Sequence, residues 1–418
     1  MICDDFLGEK TGLLGFGAMR LPVIGDDQAA IDQEALDAMV DAARAGGVTY
    51  FDTAWPYHGG ASEIALGKSL ARFPRDSFCL ATKYPGHQIS NSYNPAEIFE
   101  EQLRKCGVDY FDFYLLHNVY ENSIGVYTDE RWGIADYFIE QKRLGRIHHL
   151  GFSSHGRPEN LAEFLDYGAR SYAALKEDDP ATAALFAGEN IFEFCQIQLN
   201  YLDWTLQRAA EKCAILESAA VPVVVMEPLR GGRLAQLDEQ QTAALAAVAP
   251  EASPLEWSFR WLQGIPSVKV ILSGMGSVEQ VEENCRIFAE RSPLSAAENA
   301  LLMDVAETMK GGVPCTACRY CVDSCPQQID IPMMMASYND LKFATSFTVP
   351  MQMDAVPEGQ RAADCIACGC CSQMCPQQID IPEVLAELAA TLEKMPKWAD
   401  LCRQREEAAR ALKEASRE

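Results

Sequence analysis

The sequence predicts an α/β chain, a (β/α)8 barrel followed by a smaller cysteine-rich unit, and three observations carry that reading. Eight short apolar runs alternate with amphipathic stretches between Gly15 and Phe288. Polar residues recur at the ends of successive runs. Nine cysteines lie between Cys315 and Cys375. At roughly 100–200 residues per domain, with about 250 available to a barrel, the 418 residues fit one barrel (1–310) and one further unit (311–418).

The strand candidates, in order, are Leu14–Met19, Thr49–Asp52, Phe78–Lys83, Phe111–His117, His149–Phe152, Phe194–Leu199, Val221–Met226 and Val268–Leu272. Runs that are apolar throughout suit a parallel sheet buried on both faces. Helical patterns separate them, as at Ile31–Ala45 (apolar at Ile31, Leu36, Met39 and Val40) and Pro95–Cys106. The alternative is a doubly wound open sheet. Ala169–Ile191, with Lys176-Glu177-Asp178-Asp179-Pro180 inside it, fits no barrel unit and reads as an insertion, either a lid or partner surface or a solvated loop.

Composition is ordinary for a globular chain, at 48% apolar and 23% charged residues. The net charge of −25 argues against nucleic acid and anionic membrane surfaces as partners. No apolar run approaches the roughly 20 residues of a membrane span, and Met1-Ile2-Cys3-Asp4-Asp5 lacks the basic start of a secretion signal. A cytoplasmic location is the expectation, in which thiols stay reduced. The dense cysteine window then reads as metal ligation, and the scattered Cys3, Cys79, Cys106, Cys195, Cys213, Cys285 and Cys402 as small apolar residues.

Asp52, Lys83 and His117 each close a strand candidate, and Tyr57 follows Asp52 by five residues. Carboxyl ends of barrel strands converge on one rim, where chemistry is done. A lysine beside a phenol favours phenolate, a carboxylate keeps that lysine charged, and an imidazole can bond a substrate oxygen. Together they make a proton donor for a carbonyl oxygen that gains charge as hydride arrives at its carbon. Singly, Asp52 reads equally as a helix cap, Lys83 as a loop residue and His117 as a satisfied rim histidine.

Phe51-Asp52-Thr53-Ala54 with Tyr57, Gly60-Ala61-Ser62-Glu63 with Leu66-Gly67, Ala81-Thr82-Lys83, Tyr114-Leu115-Leu116-His117 and Gly151-Phe152-Ser153 occur in order and at suitable spacing. In these stretches the chain resembles the aldo-keto reductase superfamily, whose fold is a TIM barrel. The resemblance implies a tetrad of Asp52, Tyr57, Lys83 and His117, with Tyr57 the general acid, Lys83 and Asp52 its tuning pair, and His117 orienting the substrate. It also implies a nicotinamide cofactor, NADP or NAD, bound across the rim. The matching positions are Ser153, Ser154, Gln196, Met226, Gly274, Gly276, Gln280, Glu283 and Asn284, with Ser277–Asn284 opening the last barrel helix. Ser154 stands where many members have asparagine, and Met226 where an aromatic ring often stacks. No Lys or Arg lies between Gly274 and Asn284; Arg230 and Arg233 are either replacements for a 2′-phosphate contact or an exposed surface pair. Gln198 shares a strand face with Gln196, which leaves open which of them meets the cofactor.

Cys315-x2-Cys318-x2-Cys321-x3-Cys325-Pro326 recurs as Cys365-x2-Cys368-x2-Cys371-x3-Cys375-Pro376, and both runs continue Gln-Gln-Ile-Asp-Ile-Pro. This spacing resembles the bacterial two-cluster ferredoxins, an α+β domain holding two 4Fe–4S clusters. The resemblance implies crossed ligation, with Cys315, Cys318, Cys321 and Cys375 on one cluster and Cys365, Cys368, Cys371 and Cys325 on the other. Zinc, the alternative, favours pairs of CxxC. Cys370 has no counterpart in the first run and reads as a spare thiol. The stretch from Glu383 to Glu418 is helical in pattern and expected to pack on the barrel or the cluster unit.

A barrel of this family fused to such a unit raises a chemical question, because a nicotinamide transfers hydride and each cluster one electron. Three readings follow: a carbonyl or alcohol oxidoreductase whose clusters are structural or serve a redox partner protein; a reductase whose clusters send single electrons to a substrate on the rim; and a non-catalytic scaffold, against which the complete tetrad counts.

Overall fold

A computed structural model describes residues 1–418 apart from 26, 89–91, 310–311, 314, 316–318, 320, 323, 344–347, 376 and 416–418, and apart from the side chains of 409 and 412–415. The chain opens with a hairpin, β1 (Cys3–Phe6) and β2 (Glu9–Gly12), which the apolar pattern does not announce. Its turn places Leu7 and Gly8 at φ 58° and 90°, the left-handed pair that suits a right-twisted hairpin.

Eight parallel strands follow: β3 (Leu14–Gly17), β4 (Tyr50–Asp52), β5 (Cys79–Tyr84), β6 (Phe111–Val119), β7 (Ile147–Ser154), β8 (Phe194–Gln198), β9 (Val223–Met226) and β10 (Val268–Ser273). They close into a barrel in sequence order, with β10 pairing β3. Each overlaps its sequence candidate. The interior is filled by Tyr50, Phe113, Leu115, Phe194, Val224 and Val270, and Phe6 of the hairpin stacks on Phe113 with centroids 4.8 Å apart, plugging one end. A second apolar layer lies between sheet and helices and includes Leu302, Val305 and Met309 of the Ala296–Met309 helix. Leaving that apolar layer in water would cost roughly 25 cal/mol per Å².

The Gln33–Ala45 helix is capped by Asp32, the Pro95–Cys106 helix by Asn94, and the last barrel helix, Val278–Ile287, by Ser277. One expectation is corrected. Most of Ala169–Ile191 is not an irregular insertion, because the helix begun at Pro158 runs on to Asp178 and a short turn follows at Pro180–Ala183. The helix interior accepts Lys176-Glu177 without a break, so the charged run alone was a poor signal of loop.

Beyond the barrel, the described elements are helices, chiefly Ile331–Phe343, Thr348–Asp354, Ile381–Glu393 and Trp398–Ala415; no strand forms among the described residues of this part. Ile329, Ile331, Met334, Met335, Ile381, Leu385 and Leu388 make a core of their own around the cysteines. Polar contacts tie the part to the barrel, and Met351, Trp398 and Cys402 form a buried apolar cluster with Tyr120. Arg230 pairs with both Asp203 and Asp340, the guanidinium of Arg233 donates to Phe343 O (3.0 Å), and Arg157 lies 4.0 Å from Asp330. Among the described residues no helix is long and apolar enough to cross a membrane.

Candidate active site

Parallel pairing sets Asp52 opposite Ala81 and Lys83 opposite Leu115, so the ends of β4, β5 and β6 lie side by side. Lys83 Nζ is 2.5 Å from Asp52 Oδ1 and donates to Thr53 O at 2.7 Å, with both side chains buried. Tyr57 follows in a tight turn after β4, and its ring centre is 5.1 Å from Lys83 Nζ and 6.0 Å from the His117 ring. The four residues named by resemblance therefore meet at one rim.

Burial works against the Lys83 ammonium, but Asp52 and Tyr57 outweigh it and hold its pKa above the ordinary value. Burial pushes Asp52 upward while Lys83 opposes it. The expectation for Tyr57 needs correcting in its net effect. Lys83 does draw the phenol down, yet burial is stronger, and the hydroxyl titrates above a free phenol. Tyr57 thus stands protonated, the state a proton donor needs. His117 is driven well below its usual range, first by burial and then by His87 and Lys83, and is a neutral imidazole.

Residues that sequence reasoning left without a role hold these four in place. Tyr127 donates its hydroxyl proton toward His117 O (2.5 Å). Ser62 donates to Ala18 O (2.9 Å) and bonds Thr53 Oγ1. Glu63, wholly buried, accepts from Thr82 and Gln102, each at 2.7 Å, and from Lys105 at 3.2 Å. Gly67 lets its helix meet the Cys106 backbone, where a Cβ would come within 2.5 Å of a carbonyl oxygen. His58, beside Tyr57, accepts from Leu21 N through Nε2 and meets Gln28 O through Nδ1, which defines a neutral tautomer. Ser62, Glu63 and Gly67 lay inside matched motifs; His58 carried no signal of its own.

The residues expected around a nicotinamide separate into groups. Gln196 on β8 is buried with Oε1 unpartnered, whereas Gln198 is committed to Asp203 (2.8 Å). Gln196 stands opposite Ser153 in the β7–β8 ladder, and Ser153 Oγ accepts from Asn118 N (2.8 Å), whose own Oδ1 is also buried without a partner. Two orphaned acceptors on residues that both neighbour Ser153 match the two N–H donors of a carboxamide, so these residues fit the group. Ser154 is spent on Val119 O (3.0 Å) and on Gly156 N, and Met226 is half-buried at the end of β9. Gly274 and Gly276 are exposed, Gln280 bonds Gly276 N (2.8 Å), Glu283 is exposed, and Asn284 is buried on Ser273 Oγ (2.9 Å). Arg230 is buried between Asp203 and Asp340, whereas Arg233 is exposed and donates to Phe343 O at the end of the helix Ile331–Phe343. The guanidinium that borders this loop is Arg20, at 3.3 Å from where a Cβ on Gly231 would stand, with its stem beside Gly274. Its distance in sequence from the loop hid it.

The cysteines gather around two small apolar cavities. One is lined by Cys315, Cys321 and Cys375 with Ile331, Met335 and Ile379. The other is lined by Cys325, Cys365, Cys368 and Cys371 with Ile329 and Leu385. The last thiol of each run thus faces the cavity of the other run. Cys318 lies outside the described residues. Cys370 is exposed and lines neither cavity named here.

The profile of the aldo/keto reductase family matches residues 13–307. The chain belongs to the aldo/keto reductase family. A second profile, the 4Fe-4S dicluster domain, matches residues 314–380 of this family member. Among curated relatives, L-galactose dehydrogenase of Arabidopsis thaliana is 26% identical over 318 residues, covering 70% of this chain and 89% of its own. The NADH-specific methylglyoxal reductase of Escherichia coli is 27% identical over 303 residues, covering 66% and 89%. In fold, the chain is similar to the holo form of an aldo-keto reductase from Bacillus halodurans, with TM-score 0.55 and 23% identity over 71% of this chain and 93% of that one.

Proposed function

We propose that this aldo/keto reductase interconverts a small carbonyl compound and its alcohol with a nicotinamide cofactor, at the rim formed by Asp52, Tyr57, Lys83 and His117, and carries two 4Fe–4S clusters in its C-terminal part. The observation that supports it best is the buried Lys83–Asp52 pair against Tyr57, with His117 completing the group. Tyr57 holds the proton that the substrate oxygen takes. Lys83 stabilises the phenolate left behind, and Asp52 keeps Lys83 charged. His117, neutral, orients the oxygen by a hydrogen bond. Gln196, Ser153 and Asn118 would hold the nicotinamide carboxamide. Bound there, the nicotinamide supplies hydride to carbon, or accepts it in the reverse direction.

The two thiol-lined cavities support crossed ligation, with Cys315, Cys318, Cys321 and Cys375 on one cluster and Cys365, Cys368, Cys371 and Cys325 on the other. The reading in which clusters feed single electrons to the rim has one observation in its favour: Asn118, next to His117, bonds Met351 Sδ of the cluster part at 3.2 Å. Anaerobic titration with NADPH and with NADH separates the two. Carbonyl reduction with unchanged cluster absorbance supports the proposal, and cluster bleaching in step with turnover supports the second reading.

A further inference from the structure

The helix Trp398–Ala415, which follows the second cysteine run, lies across the rim of the barrel. Trp398 is buried, its indole N–H donates to Tyr120 OH (3.2 Å), and its ring is 6.3 Å from that of His87. His87 in turn lies 4.5 Å from His117, ring to ring. Farther along the helix, Ala408 Cβ stands 3.5 Å from where a Cβ on Gly59 would be, and Gly59 at φ 62° is two residues past Tyr57. The helix is therefore a wall of the site.

Arg405 is carried on this wall. Its guanidinium carbon sits 5.4 Å from the Trp398 ring centre, and it is half-buried. Among the described residues it has no ion pair and no hydrogen-bond acceptor, in a chain where acidic groups outnumber basic ones by 60 to 35. Its charge bears on Tyr57, His87 and His117. His87, whose ring neighbours that of Trp398, is 4% exposed and His117 9% exposed, and each has an Nδ1 without a hydrogen-bond partner in the protein. Buried polar atoms with no partner in the protein are satisfied by ordered water or by a ligand. An unpaired guanidinium on the same wall selects an anion with planar or tetrahedral oxygens.

We propose that Arg405, with His87, forms a subsite for an anionic group carried by the substrate next to its carbonyl. The substrate class is then a short oxo acid or a phosphorylated carbonyl compound, which share the anion as the recognised feature. Stacking on Trp398 engages the face of the guanidinium and leaves its N–H edge for the ligand. The inference rests on the tetrad reading only for the placing of the carbonyl.

The test compares matched pairs in the holoprotein: pyruvate against diacetyl, and dihydroxyacetone phosphate against dihydroxyacetone. In the wild type, kcat/KM for one anionic member exceeds that of its neutral counterpart by about tenfold or more, and which pair shows it identifies carboxylate or phosphate. Arg405→Met lowers that ratio by about tenfold, and Arg405→Lys, which keeps charge without the planar fork, restores part of it. A wild-type ratio near one, or a ratio unchanged in Arg405→Met, overturns the subsite. If neither pair is reduced, the carbonyl reading fails, and calorimetry with oxamate and inorganic phosphate still decides the subsite. Binding that weakens about tenfold in Arg405→Met upholds it, and absent or equal binding overturns it.

Discussion

The indole nitrogen of Trp398 donates to the hydroxyl of Tyr120 across 3.2 Å, joining residues 278 positions apart in the chain. Tyr120 follows β6, the strand that carries His117, so this bond fastens the C-terminal helix to the rim where the candidate catalytic residues meet. The part of the chain after the cysteines thereby serves the barrel.

Removing that anchor should loosen the helix and leave the barrel intact. Trp398→Ala deletes a buried indole, a change that costs about 3–5 kcal/mol in a packed site. Hydrogen exchange should rise along Trp398–Ala415 while β4, β5 and β6 keep their protection. Equal protection of the helix in both proteins would contradict its docking through Trp398.

Tyr57→Phe keeps the ring and removes the proton donor. Carbonyl reduction should fall about 10²–10⁴-fold with cofactor affinity nearly unchanged. Stopped-flow kinetics of the chemical step checks this, and a variant that retains more than about a tenth of the rate would place the acid elsewhere.

The anaerobically purified protein should hold about eight iron and eight sulfide. Cys325 lines the cavity of the second run, and Ile331 borders both cavities. Cys325→Ser should therefore deplete the second cluster and weaken the first, since ligation carries much of the folding free energy of so small a unit. Iron analysis and the paramagnetic spectrum of the reduced variant report this, and a full iron complement with a wild-type melting curve would exclude crossed ligation.

Glu63, in the first turn of the helix Ser62–Leu70, is the counter-charge of a buried cation. Lys105 lies 3.2 Å from its carboxylate and 3.9 Å from the Trp55 ring centre. Glu63→Gln leaves that ammonium buried without a counter-charge, and the expected loss is about 3–5 kcal/mol in denaturant unfolding. Glu63→Gln combined with Lys105→Met should recover much of it.

Stability should decline as pH falls. Burial, then Arg405, pushes His87 from 6.5 down to about 3. Its folded pKa is below its unfolded one, so its contribution is complete above the unfolded pKa. From there down toward the folded pKa the unfolded chain binds the proton and the native state does not. The slope is about 1.4 kcal/mol per pH unit for one proton. Urea unfolding between about pH 7 and pH 5 should show a shallower decline in His87→Gln than in the wild type; parallel curves would show that His87 takes up its proton in the folded state.

Local pattern made much of this legible. Each barrel strand is a short apolar run whose character depends on its own residues, so all eight could be placed, and the two cysteine runs declare their spacing within a dozen residues each. The N-terminal hairpin escaped because Leu7 occupies a left-handed turn position that Asn or Asp usually signals. The long helix through Asp178 escaped because charge was read as loop. Packing alone decided the rest. Arg230 faces Asp203 and Asp340, the Oε1 of Gln196 and not that of a committed Gln198 is left unpartnered, and Trp398 brings Arg405 and His87 to one wall of the site. Those outcomes depend on which surfaces of barrel and C-terminal helices bury each other, and a contact between residues hundreds of positions apart leaves no periodicity in either segment.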